Sequence, residues 1–188
     1  MATITMRLAV RLPARAGRRT LWTRVAAGEP AVPLAHGEQV LTVAHGRDGS
    51  PVIATKLAVY HQHPAGSGTW VRLGWEQIGR VDWDDPHGLV LTGWTPDVAA
   101  RTLLPVARDE PLLALARERV AWTTLLATDI PIGGRGLARV TARREPGTDR
   151  LLWMVALGPG VADNAAVRAE LDTALARLRA DLALGPGR

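Results

Sequence analysis

From Glu38 to Trp94 the chain reads EQVLTVAHGRDGSPVIATKLAVYHQHPAGSGTWVRLGWEQIGRVDWDDPHGLVLTGW. Short apolar segments alternate here with polar residues, and each is cut off by Gly, Pro or Asp, the pattern of antiparallel strands joined by tight turns. Gln39 to Ala44, Val52 to Thr55, Leu57 to His61, Trp70 to Leu73, Gln77 to Trp83 and Leu89 to Trp94 are read as strands. Arg47, Asp48, Gly49 and Ser50 make a turn in which Asp-Gly is the strongest hairpin signal of the chain, and Asp84 to Gly88 make another. Thr102 to Ala107 is a last strand, demoted to an edge by Pro105.

The hydrophobic period then changes. Asp109 stands where a cap belongs, Glu110 and Pro111 suit a first helical turn, and Leu112, Leu113, Leu115, Ala116, Val120, Trp122 and Leu126 fall on one broad face. A helix running to Ala127 is expected to cover the sheet, with Trp122 packed against it. Further on, the Gly-rich loop Gly133 to Gly136 precedes a hairpin of Leu137 to Arg144 and Leu151 to Leu157. A helix over Ala165 to Leu182 follows, capped by Asp163 or Asn164, with Val167, Leu171, Leu175, Leu178 and Leu182 in one stripe.

Strands followed by a tryptophan-bearing helix are similar to the pleckstrin-homology-like (PH-like) barrel. The run from Gly37 to Trp83, with Val52, Ile53, Ala54 and Thr55 and then Trp75, Glu76, Gln77 and Ile78, resembles the PH-like proteins of actinobacteria. The resemblance implies an α+β chain: a PH-like antiparallel β-barrel capped by a helix, followed by a β-hairpin plus helix unit. It also implies a module that binds peptide, protein or lipid and uses no cofactor. The expected divisions are 1–36, an N-terminal strand and basic linker; 37–127, the barrel with its helix; and 128–188, the hairpin and amphipathic helix. Within the first, Ile4, Met6, Leu8, Val10 and Leu12 alternate as in a strand, a candidate third strand for the hairpin unit, and Ala14 to Leu34 reads as a connection.

Composition narrows the function classes. The 188 residues are 47% hydrophobic, as in a folded globular chain, and the absence of cysteine removes disulfides, thiolate metal sites and thiol nucleophiles together. No apolar run approaches the roughly 20 residues of a membrane span, and no signal-peptide core is legible, so a cytoplasmic protein is expected, with a position peripheral to the membrane as the variant. The net charge of +5 rests on arginine, Lys56 being the only lysine. Arg7, Arg11, Arg15, Arg18, Arg19 and Arg24 all precede the first acidic residue, Glu29.

No motif points to a reaction. His61 and His63 have the i, i+2 spacing of a metal-binding strand, but spacing fixes no third ligand, and both read as surface residues at a strand end. Ser50 and Ser67 are the only serines, and Ala65 and Thr69 occupy the glycine positions of a nucleophile elbow. Asp82 and Asp84 share a strand face, where a solvated acidic turn is the simpler reading than an acid–base pair. The glycines near Gly133 lack the Lys-Ser/Thr ending of a phosphate loop. Arg119 falls inside the apolar arc of its helix, which calls for pairing with Asp82 or Glu76 or for a snorkelling stem.

The expectation is a non-catalytic binding module without metal or cofactor that recruits an unidentified partner protein. Its candidate contacts are Trp70 and Trp94, at loop edges, and an outward arginine face of Arg7, Arg11, Arg135, Arg139 and Arg143. That face carries the alternative, a peripheral binder of anionic lipid or nucleic acid. No specific nucleic acid is expected, because no stacking aromatics accompany the arginines and no known nucleic-acid motif is present.

Overall fold

A computed structural model describes residues 20–23, 31–35, 37–94, 100–107, 110–134, 136–148 and 150–184. The strands are β1 (Thr20–Thr23), β2 (Val32–Ala35), β3 (Val40–His45), β4 (Pro51–Thr55), β5 (Ala58–Gln62), β6 (Trp70–Gly74), β7 (Ile78–Asp84), β8 (Gly88–Gly93), β9 (Thr102–Leu104), β10 (Thr124–Ile132), β11 (Gly136–Arg144) and β12 (Leu151–Leu157). The helices are α1 (Glu110–Thr123) and α2 (Ala165–Leu184), and a 3-10 turn covers Trp75–Gln77. The chain is therefore α+β, mostly antiparallel, and ends on a helix. None of these helices is long and apolar enough to cross a membrane.

Two compact units are present. One takes in the described residues of 9–125 and 143–152, the other those of 126–142 and 153–188.

The first unit is built on its turns. Asp48 Oδ1 accepts the Ser50 N–H (2.9 Å) and hydroxyl (2.6 Å), bonds that hold its carboxyl below the usual range. Gly49 follows at φ 81°, which a β-carbon would oppose. Four strands pair antiparallel in the order β3-β4-β5-β6 and three more in the order β7-β8-β9. Gly88, at φ 89°, opens β8 where a β-carbon would lie 2.5 Å from the Leu104 carbonyl oxygen, so the close passage of β9 depends on glycine there. An isolated antiparallel bridge, Gly46 to Val106, joins the far ends of the two sheets. Strands β3 to β9 thus form two antiparallel sheets and, among the described residues, not a closed barrel.

Every residue of β4 and β5 is buried, because the four-stranded sheet is covered on both faces. One face, with Val52, Ala54, Val59 and Leu73, shares a core with Trp75, Ile78, Leu89, Leu91 and Leu104, closed by Leu112, Leu113, Ala116 and Val120 of α1. The other, with Ile53, Ala58 and Tyr60, packs on Val32 and Leu34 of β2. The segment read as a connection therefore contains a strand, paired antiparallel with β1.

Three expectations about α1 are corrected. The helix stops at Thr123, whose hydroxyl bonds the Val120 carbonyl (2.8 Å), and Thr124 begins β10, so Leu126 is not helical. Trp122 is 56% exposed. It lies about two and a half turns beyond buried Leu113, on the opposite side of the helix. Arg119 pairs with Glu118 (3.2 Å) on its own helix and not with Asp82 or Glu76.

A buried polar network fixes the turn between β4 and β5. The Glu38 carboxylate accepts the Ala35 N–H (2.9 Å), the Thr55 hydroxyl (2.5 Å) and the Tyr60 hydroxyl (2.6 Å), while Thr55 Oγ1 accepts the N–H groups of Leu57 (3.1 Å) and Ala58 (3.0 Å). Arg72 Nε donates to the Tyr60 oxygen (3.1 Å). Burial, reinforced by the bond to Glu38, pushes the Tyr60 phenol up to about 12. A raised phenol pKa stabilises the fold below the unfolded value of about 10, and this contribution is lost as pH rises from there through about 12. Tyr60→Phe is expected to cost about 1.5–3 kcal/mol at neutral pH, a hydrogen bond to a charged acceptor being lost. It should also flatten the decline in melting temperature between pH 10 and 12; an unchanged alkaline profile would contradict the assignment.

In the second unit β10, β11 and β12 lie side by side in that order, next to α2. The expected third strand, residues 3–12, lies outside the described residues; the strand beside β11 is β10, a segment read as helix end and loop. Asn164 Oδ1 caps α2 by accepting the Val167 N–H (3.0 Å). Val167, Leu171 and Leu175 form the buried stripe, and the Arg179 guanidinium lies over the Trp153 ring, 5.5 Å from its centre.

Candidate functional site

Strand register sets the direction of each side chain near the ends of β4, β5 and β6. Val52, His61 and Val71 are direct cross-strand partners. They stand two residues along from Ala54, Val59 and Leu73, so the row points to the same core-facing side. Beyond this row opens a groove of about 540 Å³, lined by His61, His63, Val71, Leu73, Gln77 and Thr102 among others, and by no residue of α1. Its size lies in the range of small-ligand sites, and the mouth of a curled sheet is a common place for them.

His61 is a buried polar group at its wall, in company with His63, Gln77 and Thr102. The ring is 8% exposed, so the expectation of a surface histidine is corrected: alternation from Val59 turns it inward. Nδ1 lies 3.3 Å from the Gln62 carbonyl oxygen, and Nε2 is buried with no hydrogen bond among the described residues. Burial is the main force depressing its pKa, and the neighbouring His63 ring, edge-on at 6.4 Å, acts in the same direction. The imidazole is therefore neutral at pH 7. Because a carbonyl only accepts, the Nδ1 contact assigns the proton to Nδ1 and leaves Nε2 a bare acceptor.

The expected contact residues fare differently. Arg7, Arg11 and Arg135 lie outside the described residues. Arg139 is exposed and 3.5 Å from Asp129 on the neighbouring strand. Arg143, expected to face outward beside it, is 6% exposed. Its guanidinium lies over the Trp94 ring, 4.7 Å from the centre, and donates to the carbonyls of Ile78 and Gly79 (3.4 Å to the latter). Arg143 belongs to the first unit, where β7 and Trp94 cover its side chain. Burial pushes the guanidinium down to about 10, opposed by the charge of Glu76, and it remains a cation at neutral pH.

Trp70 and Trp94 are not exposed anchors. Trp70 is half-buried and donates to the Ala31 carbonyl (2.9 Å); Trp94 is buried and donates to the Glu76 carbonyl. Trp122 carries the exposed indole instead. The acidic turn has its own partners: Asp82 pairs with Arg80 (2.7 Å) and Asp84 with Arg101 (2.7 Å), and the His87 ring lies 3.3 Å from Asp84. Ser50 bonds Asp48, and Ser67 Oγ accepts the Thr69 N–H (3.0 Å). Among the described residues, no three His, Asp or Glu side chains gather as a metal site would require.

Comparison with protein-family profiles, with curated proteins and with solved structures returns no match.

Proposed function

We propose that this chain is a non-catalytic binding module on a PH-like scaffold, and that it holds part of a partner protein in the groove beside His61. The scaffold reading is supported by seven consecutive strands, β3 to β9, in two antiparallel sheets followed directly by α1. The exposed Trp122 departs from the packing role that the resemblance implies, so it lends no support. The observation that carries the binding reading is the groove itself: an apolar wall of Val71 and Leu73 meets a buried histidine whose Nε2 makes no hydrogen bond among the described residues. An acceptor left in that state costs about 1–3 kcal/mol, which a ligand recovers. Binding of anionic lipid or nucleic acid through an arginine face has less support, because Arg143 is buried and Arg139 has Asp129 beside it.

Peptide selection from a displayed library tests this. Thr102 lines the groove and is half-buried, so Thr102→Trp places a large ring where it fills the space. Peptides enriched on the wild-type chain are expected to bind the folded Thr102→Trp variant at least about tenfold more weakly, the loss of one well-filled pocket. Equal binding to both would overturn the reading.

A further inference from the structure

The tautomer of His61 restricts what this groove accepts. Nδ1 is committed to the Gln62 carbonyl at 3.3 Å, and the ring is neutral, so Nε2 offers a lone pair and no proton. An anion placed there would meet that lone pair with its own. A cation would be stripped of water, since no acidic side chain lines the groove among the described residues. Val52, Val71, Leu73 and Leu104 supply apolar wall around it, and the two arginines that also line the groove are engaged elsewhere, Arg72 with the Tyr60 hydroxyl (3.1 Å) and Arg101 with Asp84 (2.7 Å). We infer that the group received at His61 is a neutral hydrogen-bond donor on an apolar body, the chemistry of an indole N–H or a phenol O–H. The inference rests on the binding reading above and adds to it the chemical class of the anchor.

Two sources carry that chemistry, a free aromatic molecule and a tryptophan or tyrosine side chain of a partner, and a single titration series separates them. The full chain, labelled with ¹⁵N, is titrated with indole, with indene, which has nearly the same shape and lacks the N–H, with benzoate, and with N-acetyltryptophanamide. Indole is expected to move the amide signals of His61, Val71 and Thr102 and the Nε2 signal of His61, and to bind about tenfold more tightly than indene, the size of one buried acceptor satisfied. N-acetyltryptophanamide should move the same signals. The preference for indole should survive His61→Gln, whose Oε1 accepts, and vanish in His61→Leu; the Nε2 signal of the wild type reports the bond even if a variant fails to fold.

Equal affinity for indole and indene at these residues would overturn the inference while leaving the groove a binding site. Tighter binding of benzoate would do the same. Binding of indole without N-acetyltryptophanamide would keep the inference and remove the partner-protein reading. No shift at these residues with any probe would remove both.

Discussion

Trp75→Ala is expected to lower the stability of the curled-sheet unit by about 3–5 kcal/mol, the range for truncating a buried large aromatic. Trp75 is fully buried, and its indole sits where the chain leaves the four-stranded sheet for the three-stranded one. The Nε1 proton bonds the Thr55 carbonyl (2.9 Å), and the backbone N–H bonds the Leu57 carbonyl (3.3 Å), so a single residue ties the 3-10 turn to both sides of the β4–β5 corner. Truncation removes the ring from the core shared by both sheets and α1, and strands one buried acceptor. Trp75→Phe refills much of the volume and strands the same acceptor, so a smaller loss of about 1–3 kcal/mol is expected. Urea unfolding followed by far-ultraviolet circular dichroism measures both. A loss under about 1 kcal/mol for alanine would mean that the two sheets do not share the core described, since that is the range of surface substitutions.

The second large effect is at Arg143. Arg143→Ala is expected to cost about 3 kcal/mol, because two carbonyls on β7 lose a charged donor and the Trp94 face loses its cover. Arg143→Met keeps an apolar stem over the ring and should recover part of that loss. Arg139→Ala, four residues earlier on the same strand, should change stability by no more than about 0.5 kcal/mol, its contact with Asp129 being exposed. Added salt should leave the Arg143 loss nearly unchanged, since buried interactions are little screened. If the two arginines formed one solvent-facing stripe, the two alanine variants would behave alike and respond alike to salt.

The contrast between these arginines shows what was legible in the residues and what was not. Local chemistry was: Asp48 and Gly49 made the expected turn, Asn164 capped α2, and the periods of β3 to β8 matched their strands within a residue or two, whereas the edge strand read to Ala107 stops at Leu104, just before Pro105. Period tells which side of a strand a residue occupies. It does not tell what covers that side. Arg143 shared a face with Arg139, but the segment covering it lies 65 residues away in sequence. His61 was turned inward by the alternation that runs through Val59, yet its polarity argued for the surface, and only the register with Val52 and Val71 decides.

Other misses have equally physical causes. β2 carries Pro33, which breaks a central strand but is tolerated in a two-stranded pair. Leu125 and Leu126 extend the leucine pattern of α1 with no proline or glycine to stop it, and the helix ends instead at the adjacent β-branched Thr123 and Thr124. Trp122 was grouped with the buried face because that arc had been drawn too wide.

The claim on which the functional account stands is that ligand enters where Val52, His61 and Val71 meet β9, and not along α1. The most direct measurement is the map of amide shifts across the full chain during the indole titration. The account predicts saturable shifts centred on His61, Val71 and Thr102, with the backbone near Trp122 unmoved. Shifts centred on Trp122 and its helical neighbours, with the His61 row silent, would contradict it.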